Sequence, residues 1–311
     1  MAGLLAVGMS AALGLMGAGC SLCENLDCDP GGGGGVGGGE VDFTRGLVLV
    51  RDGDLLVADR ADYSQTAQLT SGGSFRHPTV SPDGRVVVAA AADGSALVRV
   101  PTAGGASATL LRADATYRGL RNPVFTPDGT RVLFVYDSGA ASSVGSVAAD
   151  GTGGVRAVVG GGSTAYGSPS FDRTGRLFVA TGPSAFNLNR LVQVNPSTGV
   201  TVGASLSLGT SASRVVNRAE VSPDGTRIAF DGEIASGAVR LFVVSSSGGA
   251  ASQLNLGPGN QAWPTWTGDT TLAFASETGG GAESIYTVPA SGGSAELAVP
   301  SGTEPSFGPR G

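Results

Sequence analysis

The chain contains no lysine; all 19 of its basic residues are arginine. It has one histidine, His77, and its three cysteines and three methionines all lie before residue 29. Each shortage removes a class of chemistry. Without lysine there is no S-x-x-K nucleophile, no G-x-S-x-G elbow occurs, and a Ser-His-Asp relay could run only through His77. No His and carboxylate cluster has catalytic zinc spacing, so the reading is of no enzyme, no metal and no cofactor. The formal net charge is −6 with no basic run, which disfavours nucleic acid as a partner. The lack of thiols beyond Cys28 suits an oxidising compartment, and equally a biased genome composition. No stretch reads as a sustained amphipathic helix, so almost all regular structure is expected to be β.

What the chain does have is a repeat. Asn122-Pro-Val-Phe-Thr-Pro-Asp-Gly-Thr-Arg-Val-Leu-Phe-Val135 is a short apolar strand, a Pro-Asp-Gly turn and a second strand. Proline presets φ at the first central turn position, the Asp side chain caps the turn, and Gly takes a positive φ without a Cβ clash. Copies follow Pro78, Pro123, Pro169, Ala219, Pro264 and Pro305, in steps of 45, 46, 50, 45 and 41 residues. A period in the forties built from short strands predicts a propeller blade of four strands. Each repeat has a second half, as in Leu241–Val244, Ser247-Gly-Gly249 and Ser252–Leu254.

The sixth copy breaks off at its turn, and the three strands that it lacks stand at the start, as Leu47–Val50, Leu55–Ala58 and Ala67–Thr70. The two ends are therefore expected to share one blade. The predicted fold is all-β: a six-bladed β-propeller of four-stranded antiparallel blades, spanning residues 43–311. Asp83, Asp128 and Asp224 read as turn caps, and Asp52-Gly-Asp54 as a tight turn between two strands.

Before the propeller, residues 1–19 are apolar and uncharged and end in Gly17-Ala-Gly-Cys20, an export pattern with a small-residue cleavage site. It resembles a bacterial lipoprotein lipobox, which implies lipidation at Cys20. No basic residue precedes the apolar run, and Gly17 stands where leucine is usual; an unlipidated signal or an uncleaved anchor is the other reading. Cys23 and Cys28 then form an even pair, expected to bridge in an oxidising compartment. Residues 20–42 include a glycine run that reads as a flexible tether with a reach of roughly 25 Å. Its formal G-x-G-x-x-G follows from low complexity, with no strand before it or helix after it.

Binding is sought where each outer strand crosses to the next inner strand, since loops on a rigid scaffold carry recognition. The residues just before the inner strands are His77, Asn122, Ser168, Arg218, Trp263 and Glu304. With Arg76, Arg118, Arg121 and Tyr166 nearby, they predict a mixed collar at one end of the channel. Arg76, Arg118, Arg121, Arg214 and Arg218 could form a positive mouth that favours an acidic ligand. Inside the blades, Val80, Phe125, Phe171, Val221, Trp266 and Phe307 form a core column. Beside them run the mostly small Thr79, Val124, Ser170, Glu220, Thr265 and Ser306, in which a carboxylate paired with a nearby Arg is the expectation at Glu220.

The Pro-x-φ-Ser-Pro-Asp-Gly motifs at Pro78, Pro123 and Ala219, with the Gly-Gly turns, resemble TolB-type, WD40-like propeller repeats from Leu47 to Gly311. TolB proteins are periplasmic and bind an envelope lipoprotein through the propeller channel, after an N-terminal α/β domain whose place is taken here by the export pattern and tether. The resemblance implies an envelope-anchored module that presents its collar to a protein or peptide partner. A small-molecule propeller enzyme, lactonase- or lyase-like, is the alternative; it would need metal-binding carboxylates, with Glu220 and Glu304 the near candidates. Similar repeats precede the hydrolase domain of prolyl oligopeptidase-like enzymes. With nothing after residue 311, that activity is not expected here.

Overall fold

The computed structural model describes residues 43, 45–139, 141–277 and 281–309. The export pattern, Cys20, Cys23, Cys28 and the glycine run lie outside the described residues. The described chain forms six four-stranded antiparallel sheets, the blades of a propeller. Blade 1 contains Phe75–Val80, Val86–Ala91, Ala96–Pro101 and Ala108–Arg112; blade 2, Arg118–Phe125, Arg131–Ser138, Ala141–Ala148 and Arg156–Val159. Blade 3 contains Ala165–Phe171, Leu177–Gly182, Arg190–Val194 and Thr201–Ser207; blade 4, Val215–Val221, Arg227–Glu233, Val239–Ser245 and Ser252–Gln253. Blade 5 contains Gln261–Trp266, Thr271–Ser276, Ser284–Pro289 and Glu296–Val299. Blade 6 joins Thr303–Gly308 to Gly46–Arg51, Asp54–Asp59 and Thr66–Gln68, so the two ends share a sheet as expected. The closing register sets Gly46 against Gly308, Leu47 against Phe307 and Val48 against Ser306. This pairing gives Gly46–Arg51 and Thr303–Gly308 a sheet neighbour where each would otherwise leave an edge open to another chain.

The turns take the geometry their sequence demands. Gly129 has φ 69°, and Asp128 Oδ1 accepts from Thr126 Oγ1 and Thr130 N. Asp83 and Asp224 cap their turns in the same way. Asp52 and Gly53 are both left-handed, the I′ geometry that matches the twist of a two-residue hairpin.

The core is divided into six clusters, one between each pair of neighbouring blades. Val80, Phe125, Phe171, Val221, Trp266 and Phe307 each belong to a different cluster and are all buried. Burying a side chain of this size contributes about 1.5–3 kcal/mol. The adjacent small column has a role beyond fitting a crowded axis. Ser170 Oγ accepts from Val221 N, Glu220 Oε1 from Trp266 N, and Thr265 Oγ1 from Phe307 N. Inner strands lack a sheet neighbour on the channel side, and here a side chain from one blade satisfies a backbone N–H of the next. Glu220 also accepts from Thr265 Oγ1, so its carboxylate links blades 4 and 5.

Candidate functional site

The collar residues share an unusual backbone. His77, Asn122, Ser168, Trp263 and Glu304 have φ between 48° and 58°, each directly before a proline. Non-glycine residues seldom adopt this region, at a cost of about 1–2 kcal/mol each. The pairing register of every inner strand shifts around this point. The shifts are bulges, which bend a strand and re-aim its side chains. Arg218, followed by Ala219 in place of proline, lies outside the left-handed region.

Buried carboxylates hold these bulges. Asp231, fully buried on the second strand of blade 4, accepts from Asn217 N, Asn217 Nδ2 and Arg218 N, and from Trp263 N of blade 5. Glu304 accepts from His77 N and pairs with Arg76 at 3.5 Å. Burial raises the Glu304 pKa, opposed by the His77 amide, Arg76 and Arg218. Sequence reading missed Asp231. Its signal is a carboxylate that interrupts the apolar run Ile228-Ala-Phe230, where a strand core has no use for an unpartnered charge.

Within this frame all six blades bring their residues together. The His77 ring lies 5.1 Å from the Trp263 ring, and the Arg218 guanidinium carbon 5.5 Å over Trp263. Arg218 Nη1 donates to Pro305 O. From the opposite side Asn122 Nδ2 reaches Asn217 O at 3.3 Å, and Ser168 Oγ bonds both Ala219 N and Ala219 O. Of these, His77, Asn122, Ser168 and Arg218 line a void of about 400 Å³, counting its open mouth, whose lining extends to Thr79, Val124 and Ser306. Arg76, Arg118, Arg121, Tyr166, Trp263 and Glu304 lie outside that lining. Tyr166 packs against the core between blades 2 and 3.

The collar's electrostatics differ from a plain positive mouth. Arg76 pairs with Glu304, Arg121 with Asp137 at 2.8 Å, and Arg214 with Glu233 at 2.5 Å. Arg218 is buried as part of the wall, and Glu304 is buried behind it. Of the five arginines, Arg118 alone is exposed and outside any ion pair among the described residues. The His77 imidazole is pushed down to about 3 by burial, then by Arg218, Arg76 and Arg121. It is therefore neutral at physiological pH, and its Nδ1 is buried with no hydrogen-bond partner among the described residues.

The loop between the second and third strands of blade 3 opens on the same face. It carries Phe186, 86% exposed, and Leu188 bridges to Val215 at the head of the next inner strand. Sequence reading missed this residue too, since the loop lies outside the repeat motif. Among the described residues, no three of His, Cys, Asp or Glu converge as a metal site.

No protein-family model matches the chain, and no curated protein matches its sequence. Solved structures do resemble it. TolB from Acinetobacter baumannii superposes with TM-score 0.66 at 16% identity, covering 86% of this chain and 67% of that one. A chain of a nidogen/laminin complex gives 0.65 at 11%, covering 86% and 99%. A puromycin-hydrolyzing peptidase from Mycobacterium tuberculosis gives 0.54 at 18%, covering 81% of this chain and 44% of the peptidase. At these identities the likeness establishes the propeller fold.

Proposed function

We propose that the protein is an envelope-anchored binding module whose collar end receives a protein or peptide segment. The observation that carries this reading is the buried, unpartnered His77 Nδ1 in a preformed polar void. A buried polar atom left without a partner costs about 1–3 kcal/mol, which a ligand donor or acceptor would recover. Arg218 and Asn122 flank it with further donors, and exposed Phe186 at the same end of the propeller supplies an aromatic anchor of the kind that dominates interfaces. The TolB and nidogen/laminin likenesses support a protein-binding propeller.

Local carboxylates balance three of the five arginines, so recognition rests on shape and hydrogen bonding more than on an acidic partner. The module works by binding and not by catalysis. Glu220 and Glu304, the carboxylates that an enzyme of this class would need, are engaged by neighbouring blades. The membrane connection is a lipid on Cys20, with residues 20–42 as tether and a bridge between Cys23 and Cys28.

Photo-crosslinking tests the docking face. A photoreactive residue at Phe186 should give a discrete adduct in envelope preparations. The same residue at Leu297, exposed on an outer strand, should not. Equal adducts from both positions would refute the collar as the docking site.

A further inference from the structure

The opposite end of the channel has a second void, which shares only Thr79, Val124 and Ser306 with the lining of the first. It measures about 560 Å³ including its open mouth, and its walls are mostly apolar, with Val80, Phe125, Phe171, Phe307 and the turn prolines Pro127 and Pro223, alongside Asp172, whose carboxylate is held by Arg176. Five blades bring a turn containing Asp to this end: Asp83, Asp128, Asp172, Asp224 and Asp269. Blade 6, where the chain ends meet, instead brings Arg45 and Arg60. Their guanidinium carbons lie 5.3 and 5.9 Å from the Phe307 ring centroid. Arg173, from the blade 3 turn, lines the same void.

Asp172 is taken up by Arg176 and by Thr174. Asp269 pairs with Arg173 at 3.5 Å, and among the described residues no ion pair engages Arg45 or Arg60. Arg45 Nε is buried with no hydrogen-bond partner among the described residues. The pKa of Arg45 is lowered first by burial and then by the like charges of Arg60 and Arg173. Arg45 and Arg60 thus stand at the Phe307 wall of the void outside any ion pair among the described residues, with Arg173 in the lining. That combination selects for a ligand that supplies a negative head and an apolar body.

We propose that the turn end of the channel binds a small amphipathic carboxylate, its head among Arg45, Arg60 and Arg173 and its apolar body against Phe307, Phe125 and Phe171. This site is independent of the collar. An inorganic anion would leave the apolar walls unfilled, and a neutral hydrocarbon would leave Arg45 Nε unpartnered.

The test uses the full chain with hexanoate, 1-hexanol and hexylammonium as probes, followed by saturation-transfer NMR. Hexanoate should bind about tenfold or more tightly than either control, with the difference shrinking as salt is raised. The double variant Arg60→Gln, Arg173→Gln alters exposed side chains, so folding should survive, and it should weaken hexanoate about tenfold. His77→Asn at the far end should leave hexanoate binding unchanged. Equal binding of hexanol, undiminished binding by the double variant, or no transfer to hexanoate at millimolar concentration would each overturn the proposal.

Discussion

Asp231 shows how one residue can support several others. Its two oxygens hold three backbone amides and one side-chain amide from two blades, so Asp231→Ala orphans a set of buried donors. The expected loss is about 3–5 kcal/mol, read from urea denaturation; a loss below about 1 kcal/mol would contradict that role. His77 sets a pH dependence with a definite sign. Its folded pKa lies near 3, below the ordinary 6.5, so between those values the unfolded chain binds more protons. Stability should therefore fall as pH drops from 6.5 toward 3. Glu304 acts oppositely: its pKa is raised, so its contribution is present at acid pH and lost as pH rises through the folded value. His77→Asn, a residue that tolerates the left-handed backbone, should flatten the acid limb in denaturation midpoints measured across that range. An unchanged limb would assign the acid loss to other groups.

At the level of elements, the strands and turns were legible in the sequence because their signals are local. Pro-Asp-Gly dictates turn geometry, and alternating apolar positions dictate which face is buried. The bulged heads of the inner strands were not legible, because proline at Pro78 or Pro123 announces only that the preceding residue avoids the helical region. Nor was the bonding of the small column, since Ser170, Glu220 and Thr265 find their partners in the next blade. Thr265→Val keeps the shape and removes the acceptor for Phe307 N. It should cost about 1–3 kcal/mol in denaturation experiments and speed amide exchange at Phe307 on the closing strand. Unaltered exchange there would mean that the bond contributes little to closure.

For the whole molecule, the shared sixth blade was foreseeable by counting: one inner strand at the end, three strands at the start. The collar's location was equally legible, as the crossing point of every repeat. Its charge balance was not, because Asp137, Glu233 and Glu304 meet Arg121, Arg214 and Arg76 only after the chain has folded. For the anchor, Cys20→Ala should move the protein from the membrane pellet to the soluble fraction; retention in the pellet would point to an uncleaved apolar segment. The collar is the proposed working end of the ring. The most direct measurement is partner capture from envelope extract by the full chain, comparing Phe186→Ser with Arg118→Glu against Arg60→Gln with Arg173→Gln at the opposite end. Capture should fall about tenfold for the first pair and hold for the second; equal capture by both would contradict it.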